Sequence, residues 1–235
     1  MQRKPEIFDL KDTEFELERP RATLVEIAAD KLRELILLEK LPAGAHISER
    51  EVASALGISR TPLTKALTIL EQDGLIEYSV TRRPQVANPP LEEITQNLVV
   101  MGALEGLAGE LACANASEDD IARVASFQTR MEEGDGSLPP LESFRLDMKI
   151  HETIVQASGN QPLIDTHGKY NARLWRARFL SSQRNPGRSQ TFAEHRAIVE
   201  ALVRRDATAT AEALRAHLSS TVKNITNVLN ERART

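Results

Sequence analysis

Four side chains in the C-terminal half of the sequence are of types that ligate metal ions, and their spacing turns them toward the apolar sides of helices. Asp147 and His151 are four apart and so neighbours on a helix face, one that also carries Phe144, Met148 and Ile154 or Val155. Further on, His195 shares a stripe with Phe192, Ile198 or Val199, and Leu202, and His217 shares one with Leu214 and Thr221. An inward polar group needs a partner, because burying an unpaired charge is costly. One divalent cation per chain would satisfy the carboxylate and the three imidazoles together. Histidine suits zinc, the first choice, or nickel, and the aspartate also admits manganese. An Asp–His pair at this spacing is more often a local hydrogen bond, and a single histidine on an apolar face is more often a satisfied core residue. Spacing alone therefore leaves both readings open. His46, in a turn, and His167, outside the pattern, are not assigned to the metal.

A second set of residues suits a polyanion. From Ser59 to Leu70 there is no acidic residue, and the outward positions of this apolar-periodic run carry Arg60, Thr61, Thr64, Lys65 and Thr68. Arginine offers a bidentate contact to guanine, while serine and threonine reach phosphate or base edges. Arg60 opens the run, the end of a recognition helix that meets bases.

The elements that must hold these residues are written locally. Ser48, with Glu51 three residues on, reads as a capping box, and Gly57 as a left-handed C-cap. Ser59 then caps a helix that tolerates Pro62 in its first turn, and Asp73-Gly74 stops it. This is a helix-turn-helix. Leu75 to Tyr78 and Thr81 to Ala87 read as two short strands whose basic tip, Arg82 and Arg83, would meet phosphate or the minor groove. Upstream, Ile27, Leu32, Leu35, Ile36 and Leu38 fit a helix ending near Lys40. Asn88-Pro89-Pro90 is a stiff linker, since residues before proline avoid the helical region.

The sequence predicts a mostly α protein in two domains: a flexible arm over 1–20, a winged helix-turn-helix with a two-stranded wing over 21–88, and an all-α bundle of about six helices over 91–235. The bundle helices are expected at about Leu91 to Ala114, Ser117 to Gly134, Leu141 to Ala157, Pro162 to Ser182, Ser189 to Arg204 and Asp206 to Glu231. The 235 residues, 41% hydrophobic and 27% charged, have the composition of an ordinary globular protein. No apolar run approaches the ~20 residues of a membrane span, and no signal peptide opens the chain, so no membrane partner is expected. The single cysteine, Cys113, excludes an intrachain disulfide and points to a reducing cytoplasm. The net charge of −4 does not advertise nucleic acid, but a local basic face still binds it.

The run from Leu41 to Ala53 and then Leu56 to Leu63 resembles the winged helix of GntR-type bacterial transcription regulators, over Leu24 to Ala87 almost without gaps. This implies double-stranded DNA as partner, one half of a pseudo-palindromic operator read by each protomer of a homodimer, and a DNA-contacting role for Arg50. It also marks departures: the family commonly has a second arginine at the position of Thr64 and a glycine at that of Pro84. Residues 91–235 resemble the FCD-like ligand domain of the FadR-type branch, on Ala103-Leu104-Glu105, Asp147 to His151, Glu194 to Leu202 and Arg215 to Leu218. The resemblance implies that Asp147, His151, His195 and His217 hold the ion and that a small metabolite, an organic acid or similar oxygen donor, controls DNA affinity. Members that bind carboxylates commonly have an arginine where this chain has Met101, so Met101, Arg173 and Arg176 are the effector-binding candidates. A transcription regulator, not an enzyme, is expected. The alternatives are a metal-dependent enzyme, for which no general base stands beside the ligands, and a pure metal sensor.

Overall fold

The computed structural model describes residues 22–183 and 188–232. The expected arm over 1–20 and the break at Asn185-Pro186-Gly187 lie outside the described residues. The winged helix comprises α1 (Leu24–Leu37), α2 (Glu49–Leu56), α3 (Arg60–Gln72), β1 (Ile76–Tyr78) and β2 (Pro84–Val86). Its core includes Leu32, Ile36, Ile47, Leu63, Leu67, Leu70, Leu75, Ile76 and Val86, with Ala28, Ala29 and Ala66 buried among them. Ile27 and Leu38, expected inside, are instead exposed. A capping box of Thr23 and Glu26 starts α1. At α2 only half of the expected box forms: Ser48 Oγ accepts from Glu51 N at 3.4 Å, without the return bond. Gly57 closes α2 at φ 66°, a conformation that glycine adopts without a Cβ penalty. Ser59 occupies the N-cap position of α3, but its hydroxyl makes no cap bond.

The wing strands pair antiparallel, Ile76 with Val86 and Tyr78 with Pro84. Residues 44–47 lie along β2 as well: Gly44 N and Ile47 N donate to Val86 O and Pro84 O, both at 2.8 Å. The wing is thereby tied to the loop that leads into α2.

The bundle comprises α4 (Leu91–Asn115), α5 (Glu118–Glu133), α6 (Pro140–Ala157), α7 (Gln161–Gln183), α8 (Arg188–Val203) and α9 (Ala207–Arg232), six helices among the described residues, with bounds within two residues of expectation. α4 is central and packs against α6, α7, α8 and α9. A Cβ at Gly109 would lie 2.6 Å from Leu214 Cδ1, so glycine there permits the close approach of α9. Contrary to the expectation for apolar runs, α4 is long and apolar enough to cross a membrane by length and composition. Here it is a core helix, with Leu98, Met101, Ala108 and Ala112 buried among its neighbours. Cys113 is buried, its sulfur 3.3 Å from Thr210 Oγ1.

The two domains touch through α1 and α7. Leu37 plugs into Phe144, Met148 and Phe179, with Leu141 and Trp175 alongside. Arg176 pairs with Glu39 at 3.1 Å, and Arg173 lies against Gly74.

Candidate functional site

Helix α6 presents Asp147 and His151, α8 presents His195, and α9 presents His217, all inward. One ligand atom from each lies within 4.8 Å of the others. The histidines are buried and the Asp147 side chain is 18% exposed, which makes the aspartate the open end of the cluster. The rings sit together, with centroids 4.6 Å apart for His195 and His217 and 5.1 Å for His151 and His217. Asp147 Oδ1 is 3.1 Å from His195 Nε2 and 3.6 Å from His151 Nε2. Yet Asp147 Oδ1, His151 Nε2 and both His195 nitrogens are buried without a hydrogen bond. Buried polar atoms normally find partners, and orphans gathered from three neighbouring side chains fit a shared cation.

The outward nitrogens of two rings are held by carboxylates. His151 Nδ1 is 2.6 Å from Glu105 Oε2 on α4, and His217 Nδ1 is 2.9 Å from Glu194 Oε2 on α8. In the neutral ring, with Nδ1–H donating, the lone pair is on Nε2, facing inward. Carboxylates behind histidines orient metal ligands in this way. Burial alone would push the His151 imidazole down, but the Glu105 carboxylate, helped by Asp147, holds it up at about 9. Burial wins at His217 and takes it to about 4, the Glu194 hydrogen bond only partly opposing. Burial would raise Glu105 and Asp147, but their histidine neighbours hold both well below the usual carboxylate range.

Glu105, fully buried on α4, is the residue whose role spacing did not reveal. Its second oxygen is 3.2 Å from His167 Nε2 and 3.7 Å from Arg178 Nη1, both on α7. Arg178 also donates to Asn171 Oδ1 at 3.2 Å. His167, outside the expected pattern, thus stands one residue behind the cluster. Among the described residues, Arg178 is the buried arginine beside Glu105. Arg173 and Arg176 face the winged helix instead, and Met101 packs with Leu98, Leu174 and Leu218. On α7, Arg176 is two residues and Arg173 five residues before Arg178, and the rotation of the helix sends them to different neighbours.

The cavity beside Asp147, lined by Ser143, Phe144, Ser182, Thr191 and Phe192 among others, is about 50 Å³. A larger one of about 1000 Å³ lies between the domains, lined by Arg33 and Asp73 on one side and Lys149, His167, Asn171 and Trp175 on the other. It reaches the histidine cluster only indirectly, through His167 and Glu105.

On the winged helix, Arg50, Ser59, Arg60, Thr61, Thr64, Lys65, Arg82 and Arg83 are all exposed. Arg60 and Thr64 share one face of α3. Arg50 makes no ion pair with Glu49 or Glu51 among the described residues; Glu49 is taken by Arg60 at 3.0 Å. The wing tip is closed by Ser79, whose N donates to Arg83 O at 3.0 Å and whose O accepts from Arg82 N at 2.8 Å, with Arg82 in a left-handed conformation.

A winged helix whose reading helix has no acidic residue up to Leu70, joined to a helical bundle with an inward histidine–carboxylate cluster, defines a DNA-binding regulator with a ligand-binding domain. Comparison with known proteins gives the family. Residues 24–86 match the model for bacterial regulatory proteins of the gntR family, and residues 96–220 match the FCD domain. An uncharacterized HTH-type transcriptional regulator in an unstable DNA locus of Streptomyces ambofaciens is 30% identical over 205 residues, 84% of this chain and 83% of the relative. The Glc operon transcriptional activator of Escherichia coli K12 is 26% identical over 231 residues, 88% of this chain and 91% of the relative. The solved structure of E. coli McbR/YncC shares the fold, with a TM-score of 0.70 at 18% identity over 90% of this chain and 100% of that one. The chain belongs to the GntR family of bacterial regulatory proteins and is a DNA-binding transcription regulator with an FCD ligand-binding domain.

Proposed function

We propose that the protein is a cytoplasmic, homodimeric regulator of the FadR-type branch. Its operator affinity is set by a small oxygen-donor metabolite that binds a divalent ion, zinc first and nickel or manganese next, held by Asp147, His151, His195 and His217. The observation that carries this reading is the convergence of ligand atoms from three helices, in a cluster where four nitrogen and oxygen atoms are buried without a hydrogen bond. Four protein ligands leave positions of an octahedral shell for effector oxygens. An exposed apolar stripe on α4, Val99, Val100 and Leu107, supports self-association, and two winged helices would then read the halves of a pseudo-palindrome.

The path to DNA runs along α7. His151 bears on Glu105, Glu105 on His167 and Arg178, and the same helix carries Arg173 and Arg176 against the winged helix. The cavity beside Asp147, about 50 Å³, holds little more than a water molecule. A metabolite of several atoms must therefore move a wall helix as it binds, and that differential fit is what shifts the population of DNA-binding states.

Calorimetry tests the metal dependence. Small carboxylates such as glycolate, lactate and citrate are titrated into metal-loaded and chelator-stripped protein. Binding by one of them is expected in the loaded protein and lost in the stripped one; equal affinity in both places the effector elsewhere. Loading the stripped protein near pH 7 should also release a proton, because His151, held up at about 9, must lose one to ligate.

The wing gives a second expectation. Replacing Arg82 or Arg83 by alanine should weaken all duplexes alike and flatten the salt dependence of binding by about one unit for each phosphate no longer neutralised. A loss confined to one base position would instead make the wing a base reader.

A further inference from the structure

An acidic residue at the start of α2 touches two outward side chains at the start of the reading helix. Glu49 is the first residue of α2, fixed there by the Ser48 cap and placed where the helix dipole favours a carboxylate. Its side chain is only 21% exposed, whereas that of Arg60 is 80% exposed. Glu49 Oε2 accepts from Arg60 Nε at 3.0 Å and lies 3.4 Å from Thr64 Oγ1, and Thr64 Oγ1 also donates to Arg60 O at 3.0 Å. One carboxylate oxygen from α2 thus ties the two adjacent outward positions of α3.

We infer that Glu49 is a positioning residue for base reading: it holds the Arg60 guanidinium by Nε so that the two terminal nitrogens point away from the protein as a preformed fork. A guanine edge offers two acceptors, O6 and N7, to such a fork. The energetic argument is one of order. A free arginine loses its rotamer freedom on docking, about 0.5–1.5 kcal/mol for a long side chain, or roughly 2- to 10-fold in affinity. A side chain already tethered loses less. Thr64 is uncharged, and among the described residues Arg60 is the cation paired with Glu49. The same carboxylate lies close to where phosphates would pass and weakens contact with any duplex. Glu49 therefore favours discrimination over raw affinity, the balance by which specificity is a difference between partners. The inference rests on the reading that Arg60 contacts a base.

The test uses the full-length, metal-loaded protein and a pool of duplexes with a randomised centre. Wild type, Glu49→Ala, Glu49→Gln, Arg60→Ala and the double variant Glu49→Ala/Arg60→Ala are each selected against the pool. Each is then measured on the duplex that wild type enriches and on its single-base substitutions. Glu49→Ala should lose roughly 2- to 10-fold of the discrimination at the base position that Arg60→Ala relaxes, with binding to unselected duplexes equal or stronger. Glu49→Gln keeps an acceptor oxygen and should retain most of the discrimination. In the double variant the Glu49 change should cause no further loss of discrimination. Thermal melts equal to wild type exclude a folding defect, since Glu49 lies outside the core. If Arg60→Ala relaxes a base preference and Glu49→Ala does not, the positioning role is overturned and the reading head stands. If Arg60→Ala leaves every preference intact, both fall.

Discussion

Replacing His195 by alanine is expected to remove the metal from the protein and to lower its melting temperature by roughly 10 °C. His195 is fully buried and is the one histidine of the cluster with neither nitrogen hydrogen-bonded, so its ring has the most to gain from a cation. An ion present at ~1000 times its dissociation constant stabilises the fold by about 4 kcal/mol. In a protein of this size each kcal/mol moves the midpoint by about 2–4 °C. In chelator-stripped protein the difference between wild type and variant should shrink to the packing cost of the lost ring. Glu105→Gln keeps all four ligands but loosens the orientation of His151, and should weaken metal affinity by about 10- to 100-fold without abolishing binding. Elemental analysis of the purified protein, followed by melts with and without chelator, reads all of this. A wild-type protein that arrives empty and refuses zinc, nickel and manganese alike would end the metal reading.

The other large effect is expected at Arg60. Its replacement by alanine should cost about 1–3 kcal/mol per half-site, so a dimer that engages two half-sites loses about twice that. The loss should concentrate at one base position in each half-site, because a guanidinium matches the paired acceptors of guanine. Thr61, Thr64 and Lys65 share the exposed side of α3, and their substitution should cost less, since a single hydroxyl or ammonium makes no bidentate contact. Binding curves on the selected duplex and its point variants, at fixed salt, measure the effect. An Arg60→Ala protein that binds with wild-type affinity and unchanged preference would place the reading head elsewhere.

The two sites differ in how far the sequence alone determines them. Helix starts and stops are local chemistry, so Gly57 at the end of α2, Ser117 at the start of α5 and the Ser158-Gly159 stop after α6 are legible from neighbouring residues. Asp147 and His151 belong together because four residues make one helical turn, and His195 and His217 stand out because polar rings on apolar stripes are conspicuous. The family motifs then name the fold. Local rules fail where a partner comes from another element. Even within one helix start they fall short: Thr23 and Glu26 form the full capping box, while Ser48 and Glu51 form half of one, a difference of side-chain rotamer that the residue types do not state.

What the tertiary structure decided is the second layer of each site. Glu105 stands behind His151 because α6 packs against the face of α4 that carries it. Arg178, rather than Arg173 or Arg176, points at that carboxylate because α7 is rotated to give its other two arginines to the winged helix. Glu49 reaches Arg60 because the turn at Gly57 brings the start of α2 beside the start of α3. Each of these pairings depends on the rotation of one helix against another. A helical residue moves about 100° around its axis with each step, so a shift of a single residue in packing register exchanges an inward group for an outward one, and no local pattern encodes that rotation.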